Sequence, residues 1–535
     1  MTLLAGFLDV LLRGVGLIGL SASVGGVIYV LVVLRPMGKL SPLGGAAVTR
    51  ALKLIIAGAL VLALSIAVLV LVIHPGALAD PSGRWPVREF LSTDFARASL
   101  IHVVLALGLA ASAFGLLRPH PRRGGWIVAA LFALALMAQE AWLVHAVSRL
   151  EGRESLMAVT VLHQLGAVAW AGGLIHLAGF GLLWRRTPGI DPEGPPLLAR
   201  FSSVAIGAMF LVLGPGIYLS WRYIGDWGAL IGTGYGVMVL TKVLLLIAGL
   251  ALGALSFFLL RGRNRQNIAA RVPAFIETEV GIGITLLFAA ASLTSLPPAA
   301  DVVADRAAPS EVISRFVPQM PRLTSPPLRE LLAAAGPIDD PFSVRQPEEY
   351  AWSEYNHHTA GFFVFLMGLL AILERAGSVR WARHWPLLLL GLAAFLVVRN
   401  DPRAWPLGPA GFWESMLLPD VLQHRAALLL LVGLGVFEWL VRTERLTAPR
   451  WRFVFPVLCA VGGALLLTHS HAMFNLKSEF LTEITHAPMG ILGVIVGWGR
   501  WLELRLPSPD NRLPGRVWAV ALSLLGVLLL FYREA

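Results

Sequence analysis

The sequence holds thirteen histidines, and ten of them stand at the ends of apolar runs. These are His74, His102, His145 and His163 in the first half, and His357, His358, His424, His469, His471 and His486 in the second; His120, His176 and His384 lie elsewhere. Imidazole is the commonest side-chain ligand for copper, zinc and nickel, and helices converging at one depth can complete a coordination shell. Helix ends also attract histidine simply because it is amphipathic. Six in the second half at one depth go beyond that tendency and read as metal or haem ligands.

Neighbouring residues refine the chemistry. Glu354 precedes His357 and His358 by three and four residues, and Glu483 precedes His486 by three. Each carboxylate then shares a helix face with an imidazole, where it either orients the ring or marks the water interface. His469 and His471 are two apart, roughly 200° around a continuous helix, so both can meet one ion only if the helix ends there. Met473 and Met489 offer thioethers that would favour Cu(I), or serve as packing. His163, Gly166, Ala167, Trp170 and Gly173 share one helical face, which places His163 at a tight helix–helix interface. His176 faces away from it. Arg13, Glu140 and Lys242 fall inside apolar runs, where a charge is costly and functional by default, although Arg13 and Lys242 can also snorkel to the surface.

The elements that must position these groups are membrane spans. Of 535 residues, 57% are hydrophobic and 14% charged, and the mean hydropathy is +0.73. Soluble domains carry about 45–50% apolar and about 25% charged residues, so a soluble enzyme, a disordered chain and a collagen-like chain are excluded. About fourteen runs reach the roughly 20 residues that cross a bilayer. Eight centre near Gly19, Leu62, Leu105, Leu131, Val168, Leu211, Leu246 and Leu286, and six near Met367, Leu390, Leu431, Gly462, Val494 and Leu524. A polar connection from Pro297 to Ser353 separates them. The run from Leu3 to Leu34 far exceeds the core of a signal peptide and is expected to stay as the first span.

The net charge of +11 and pI near 10.4 do not point to nucleic acid, because the basic residues cluster between spans. Arginine clusters such as Arg118, Arg122 and Arg123, or Arg442, Arg445 and Arg450, follow the odd-numbered runs, while Asp339, Asp340, Glu348 and Glu349 lie in the long connection. The positive-inside rule then places both termini and the long connection outside.

Other apparent motifs lack their context. Gly14 to Gly19 matches GxGxxG inside a span with no preceding strand, and reads as close helix packing. Thr233-Gly234-Tyr235-Gly236 follows no pore helix, and Gly38-Lys39 lacks the P-loop spacing. The single cysteine, Cys459, excludes an internal disulfide.

Leu162-His163 followed by Trp170-Ala171-Gly172-Gly173, then Arg200-Phe201-Ser202, Tyr235-Gly236, Lys242 and the run Glu277 to Pro298, resemble the copper resistance protein D family. The likeness is good from about Glu140 to Pro298 and weaker before it. The second half resembles the extension of longer members through Glu354-Tyr355-Asn356-His357-His358, Gln423-His424-Arg425, Thr468-His469-Ser470-His471-Ala472 and Thr485-His486. One departure stands out: Ser256-Phe257 occupies the place where Asn-Arg is expected after Leu252-Gly253-Ala254. The resemblance implies a multi-pass protein of the bacterial inner membrane, active in copper homeostasis, that takes copper from a periplasmic carrier protein and passes it inward. It assigns no ligands in the second half, which rest on spacing alone.

The combined expectation is an all-α polytopic bundle of about fourteen spans with periplasmic termini. Residues 1–297 form an eight-helix domain, 298–353 a periplasmic connection, and 354–535 a six-helix domain with an outer histidine cluster. It would be no enzyme but a lipid-embedded protein that binds copper ions on its outer face and conducts them inward. His163 is the expected buried ligand of the first half, and His358, His424, His469 and His486 lead in the second. Cu(II) suits an imidazole-rich site, whereas Cu(I) needs the methionines or a two-coordinate histidine pair. The alternatives are a b-type haem protein moving electrons, whose chains want ligands at both depths where here the inner side is nearly empty, and a copper-binding sensor without transport.

Overall fold

A chain crossing hydrocarbon must satisfy its backbone groups internally, so long apolar runs can only be helices. In the computed structural model each of the fourteen run centres lies in a helix. The first eight are α1 (Ala5–Leu34), α2 (Gly44–Ala77), α3 (Asp94–Leu116), α4 (Gly125–Glu140), α5 (Arg153–Arg186), α6 (Gly194–Ile224), α7 (Gly234–Arg261) and α8 (Ile268–Leu293). The last six are α9 (Pro347–Ala376), α10 (Arg380–Arg399), α11 (Pro419–Arg442), α12 (Pro449–Thr468), α13 (His486–Arg505) and α14 (Arg512–Leu530). The structure describes residues 2–36, 43–80, 83–118, 124–144, 147, 149, 151–186, 194–261, 268–334, 346–377, 379–399, 401–416, 419–468 and 476–534. Among them there is no strand, and twelve helices are long and apolar enough to cross a membrane. The two other runs form α4, with 16 residues, and α11, with 24. This is a multi-pass, all-α membrane protein.

The chain divides into two compact units at Asp301 and Val302, with Ile231–Val237 belonging to the second. In the first, α1 is the hub, packed on α2, α5 and α8. Its course is widened by π-helical turns at Ser21–Gly25 and Tyr29–Leu34. At the first of these the α5 backbone comes so close that a Cβ on Gly172 would lie 2.0 Å from the Ser21 carbonyl oxygen and 2.8 Å from the Gly25 Cα. Only glycine fits there. Gly172→Val is expected to cost about 1–3 kcal/mol through overpacking, seen as a lowered thermal midpoint of the purified protein in detergent; an unchanged midpoint would contradict this contact. By contrast α7 is the most exposed of the twelve spans, with 11% of its apolar window buried.

In the second unit α9 and α14 form a close pair, with a Cβ on Gly526 falling 2.2 Å from the Phe365 backbone nitrogen. Trp385 and Trp518 are almost wholly buried at the centre. Around them lie Arg375, Arg442 and Arg500 with Glu374, Glu438 and Glu503, joined by ion pairs across α9, α11 and α13. The polar connection folds back as well: Ala307 and Val312 pack against Phe480, Leu481 and Ile484. Lys477 pairs with Glu311 at 2.9 Å, and this hydrogen bond holds the Glu311 carboxyl below its usual range.

Candidate metal centre

The π-helical turn Leu69–Ile73 comes directly before His74 and sets where that ring leaves α2. Single π turns of this kind often mark functional positions. The His74 Nε2–H donates to Asp9 Oδ1 of α1 at 2.8 Å, and Arg13 Nε donates to the other Asp9 oxygen at 2.6 Å. Since a carboxylate only accepts, a neutral His74 ring carries its lone pair on Nδ1. That atom is buried and has no hydrogen-bond partner. Phe90 and Phe95 flank the ring at 5.7 and 5.6 Å.

His102 of α3 is fully buried, and its Nε2 lies 3.5 Å from Glu140 Oε1 at the end of α4. Neither of its ring nitrogens makes a hydrogen bond. Gln164 of α5 donates to Glu140, and the Arg13 charge acts on both Asp9 and Glu140. Helices α1 to α5 thus carry two imidazole–carboxylate pairs, His74 with Asp9 and His102 with Glu140. A carboxylate behind an imidazole fixes the ring and strengthens it as a ligand. Buried nitrogens without partners are costly, and here they offer lone pairs to an electrophilic guest.

His163 stands apart from these pairs. Its Nδ1–H donates to the Val212 carbonyl of α6 at 2.9 Å. Pro215 lacks the N–H that would otherwise bond the Leu211 carbonyl, which loosens the helix next to Val212. Gly166 does make the close helix contact expected of this face, against Ala208 and Leu211 of α6. His176 bonds the Ala22 carbonyl at 2.8 Å and stacks on Tyr29.

In the second unit His357, His358 and His486 gather around Tyr532, just beyond α14. His357 stacks on the Tyr532 ring at 4.0 Å, and His486 lies 6.2 Å from it. His358 is held by both nitrogens: Nε2–H donates to the Tyr532 carbonyl at 2.8 Å, and Nδ1 accepts the Arg322 backbone N–H at 2.8 Å. Both ring nitrogens of His358 are thus engaged by backbone groups. Glu354 engages Arg322 Nε at 3.3 Å and the Glu534 backbone rather than an imidazole. Its carboxylate fastens the connection and the chain end to α9. His424 lies on α11, but its side chain, like His145, His469, His471 and Met473, is outside the described residues. Among the described residues, no three His, Cys, Asp or Glu side chains are placed to hold one ion.

Reading the sequence for histidines missed Asp9, Gln164, Arg322 and Tyr532. Asp9 had a visible signal, since it lies four residues before Arg13 on one helix.

Residues 195–293, from α6 to α8, match the family model of copper resistance protein D. A curated relative, the copper transport protein CutJ of Bacillus subtilis (strain 168), is 31% identical over 178 residues. The matched stretch covers 32% of this chain and 31% of that protein, so the chain spans about a third of the relative's length. No solved structure matches the chain. Over α6 to α8, then, this chain is similar to the copper resistance protein D family.

Proposed function

We propose that this protein moves copper inward across the bacterial inner membrane, receiving it on the outer face from a periplasmic carrier. Within the first unit, His74 and His102 are the leading ligands, with Asp9 and Glu140 behind them. The carrying observation is His102: a fully buried imidazole beside a carboxylate, with neither ring nitrogen hydrogen-bonded. The family of α6 to α8 and the copper transport relative support copper as the ion. Transport, not catalysis, is the activity.

Cells expressing the full chain are expected to contain more copper than cells carrying an empty vector, by elemental analysis of washed cells grown at low external copper. Equal content would remove transport from the reading. Lower content would reverse its direction.

A further inference from the structure

The weakly packed α7 leaves a cavity of about 390 Å³ between itself and α5, α6 and α8. That volume lies within the roughly 300–1,000 Å³ range of small-molecule sites. Ile206, Phe210 and Phe258 line its mouth and are 51%, 75% and 69% exposed on membrane-spanning helices, so the cavity opens toward the bilayer. A ligand would enter from the lipid.

The interior is largely apolar, with three polar side chains, of which Ser202 bonds its own helix through the Leu198 carbonyl. Glu279 of α8 is buried, and its Oε1 accepts the Trp170 indole N–H at 3.2 Å. Ser256 of α7 is 9% exposed, and its hydroxyl has no hydrogen-bond partner. A buried hydroxyl without a protein partner is available to bond a guest. Gly253 leaves space beside the carboxyl group; a Cβ there would sit 3.3 Å from Glu279 Oε1.

We infer that this cavity binds a lipid-soluble hydroxyaromatic molecule of the hydroquinone type, its ring hydroxyl donating to Glu279 and accepting from Ser256. Three observations select that class. Among the described residues the lining contains no cation, so nothing there would hold the phosphate of a phospholipid. Trp170, Phe201 and Phe257 provide aromatic walls, which favour a ring over an aliphatic alcohol. The opening to the bilayer suits an apolar tail. The site is independent of the copper reading, since it shares no residue with the imidazole–carboxylate pairs.

The test uses the full chain in phosphatidylcholine nanodiscs and equilibrium binding of 2-decyl-1,4-benzohydroquinone. The dimethyl ether of this probe has no donor and is expected to bind about ten times more weakly, the effect of losing one hydrogen bond. Glu279→Gln should weaken hydroquinone binding and narrow the gap to the ether. Gly253→Leu should abolish binding by filling the space beside the carboxyl group. If either variant fails to fold, the comparison of hydroquinone and ether on the unaltered chain still decides. Equal binding of the two, displacement by dodecanol as effective as by hydroquinone, or displacement by phosphatidylglycerol would each overturn the assignment.

Discussion

Arg442→Ala is expected to destabilise the second unit by about 3–5 kcal/mol, the cost of leaving buried charges without their partner. The arginine side chain is 6% exposed, and it donates to Glu374 Oε2 at 2.5 Å and to Glu438 Oε1 at 2.7 Å. Its guanidinium also lies 4.7 Å from the Trp385 ring centre and 5.6 Å from that of Trp518. One side chain therefore connects α11 to α9, α10 and α14. Glu374 also accepts the Trp385 indole N–H at 3.1 Å, and Glu503 that of Trp518 at 2.5 Å. Removing Arg442 takes from Glu438, 2% exposed, its ion-pair partner. Arg442→Lys should fall between, because an ammonium cannot replace the planar fork or its stacking. The double change Arg442→Met with Glu438→Leu should cost less than the sum of the single changes, since it removes both charges of one pair. Denaturation in mixed micelles, followed by tryptophan emission, reads the unaltered chain and every variant, the two single changes of the pair included. A loss below about 1 kcal/mol for Arg442→Ala would show that the network is solvated rather than buried.

That network illustrates what the sequence could convey. Arg442, like Arg375 and Arg500, reads as an orientation signal, because the positive-inside rule counts charge near span ends without knowing its partners. The spacing of Glu438 and Arg442 on one helix is visible, but the pairing with Glu374, 68 positions away, depends on how α9 meets α11. The spans themselves were legible because hydrocarbon thickness imposes a length and composition on any crossing helix. Histidine positions were legible for the same reason, as interruptions of apolar runs. Which histidines keep a lone pair was not. His358 is engaged by backbone groups 36 and 174 positions away, whereas His102 meets only a carboxylate from the next span. The cavity at Glu279 was hidden too, since it exists only because α7 stands away from its neighbours.

The decisive expectation for copper concerns the imidazole–carboxylate pairs of the first unit. In a copper titration of the purified full chain, His102→Ala and His74→Ala should each weaken binding by on the order of a hundredfold, because each removes a ligand atom whose buried position water cannot replace. Asp9→Asn should weaken it by about ten- to a hundredfold, the usual effect of losing a group that orients a ligand. Asp9 touches His74 at 2.8 Å, so it should act through that ring. In a His74→Ala background, Asp9→Asn should then cost little more. His358→Ala provides the contrast. It should leave copper affinity unchanged while lowering stability, since it strands the Arg322 N–H and the Tyr532 carbonyl. If His74 and His102 hold one ion, the double alanine variant should lose less than the sum of the single losses, with the same stoichiometry lost in each case. If they hold separate ions, each single change should remove one ion per chain and leave the other bound. Unchanged copper affinity in His102→Ala would sink the site. A Soret band that disappears in His102→Ala would replace copper with haem, because the same buried nitrogen would then be an axial ligand.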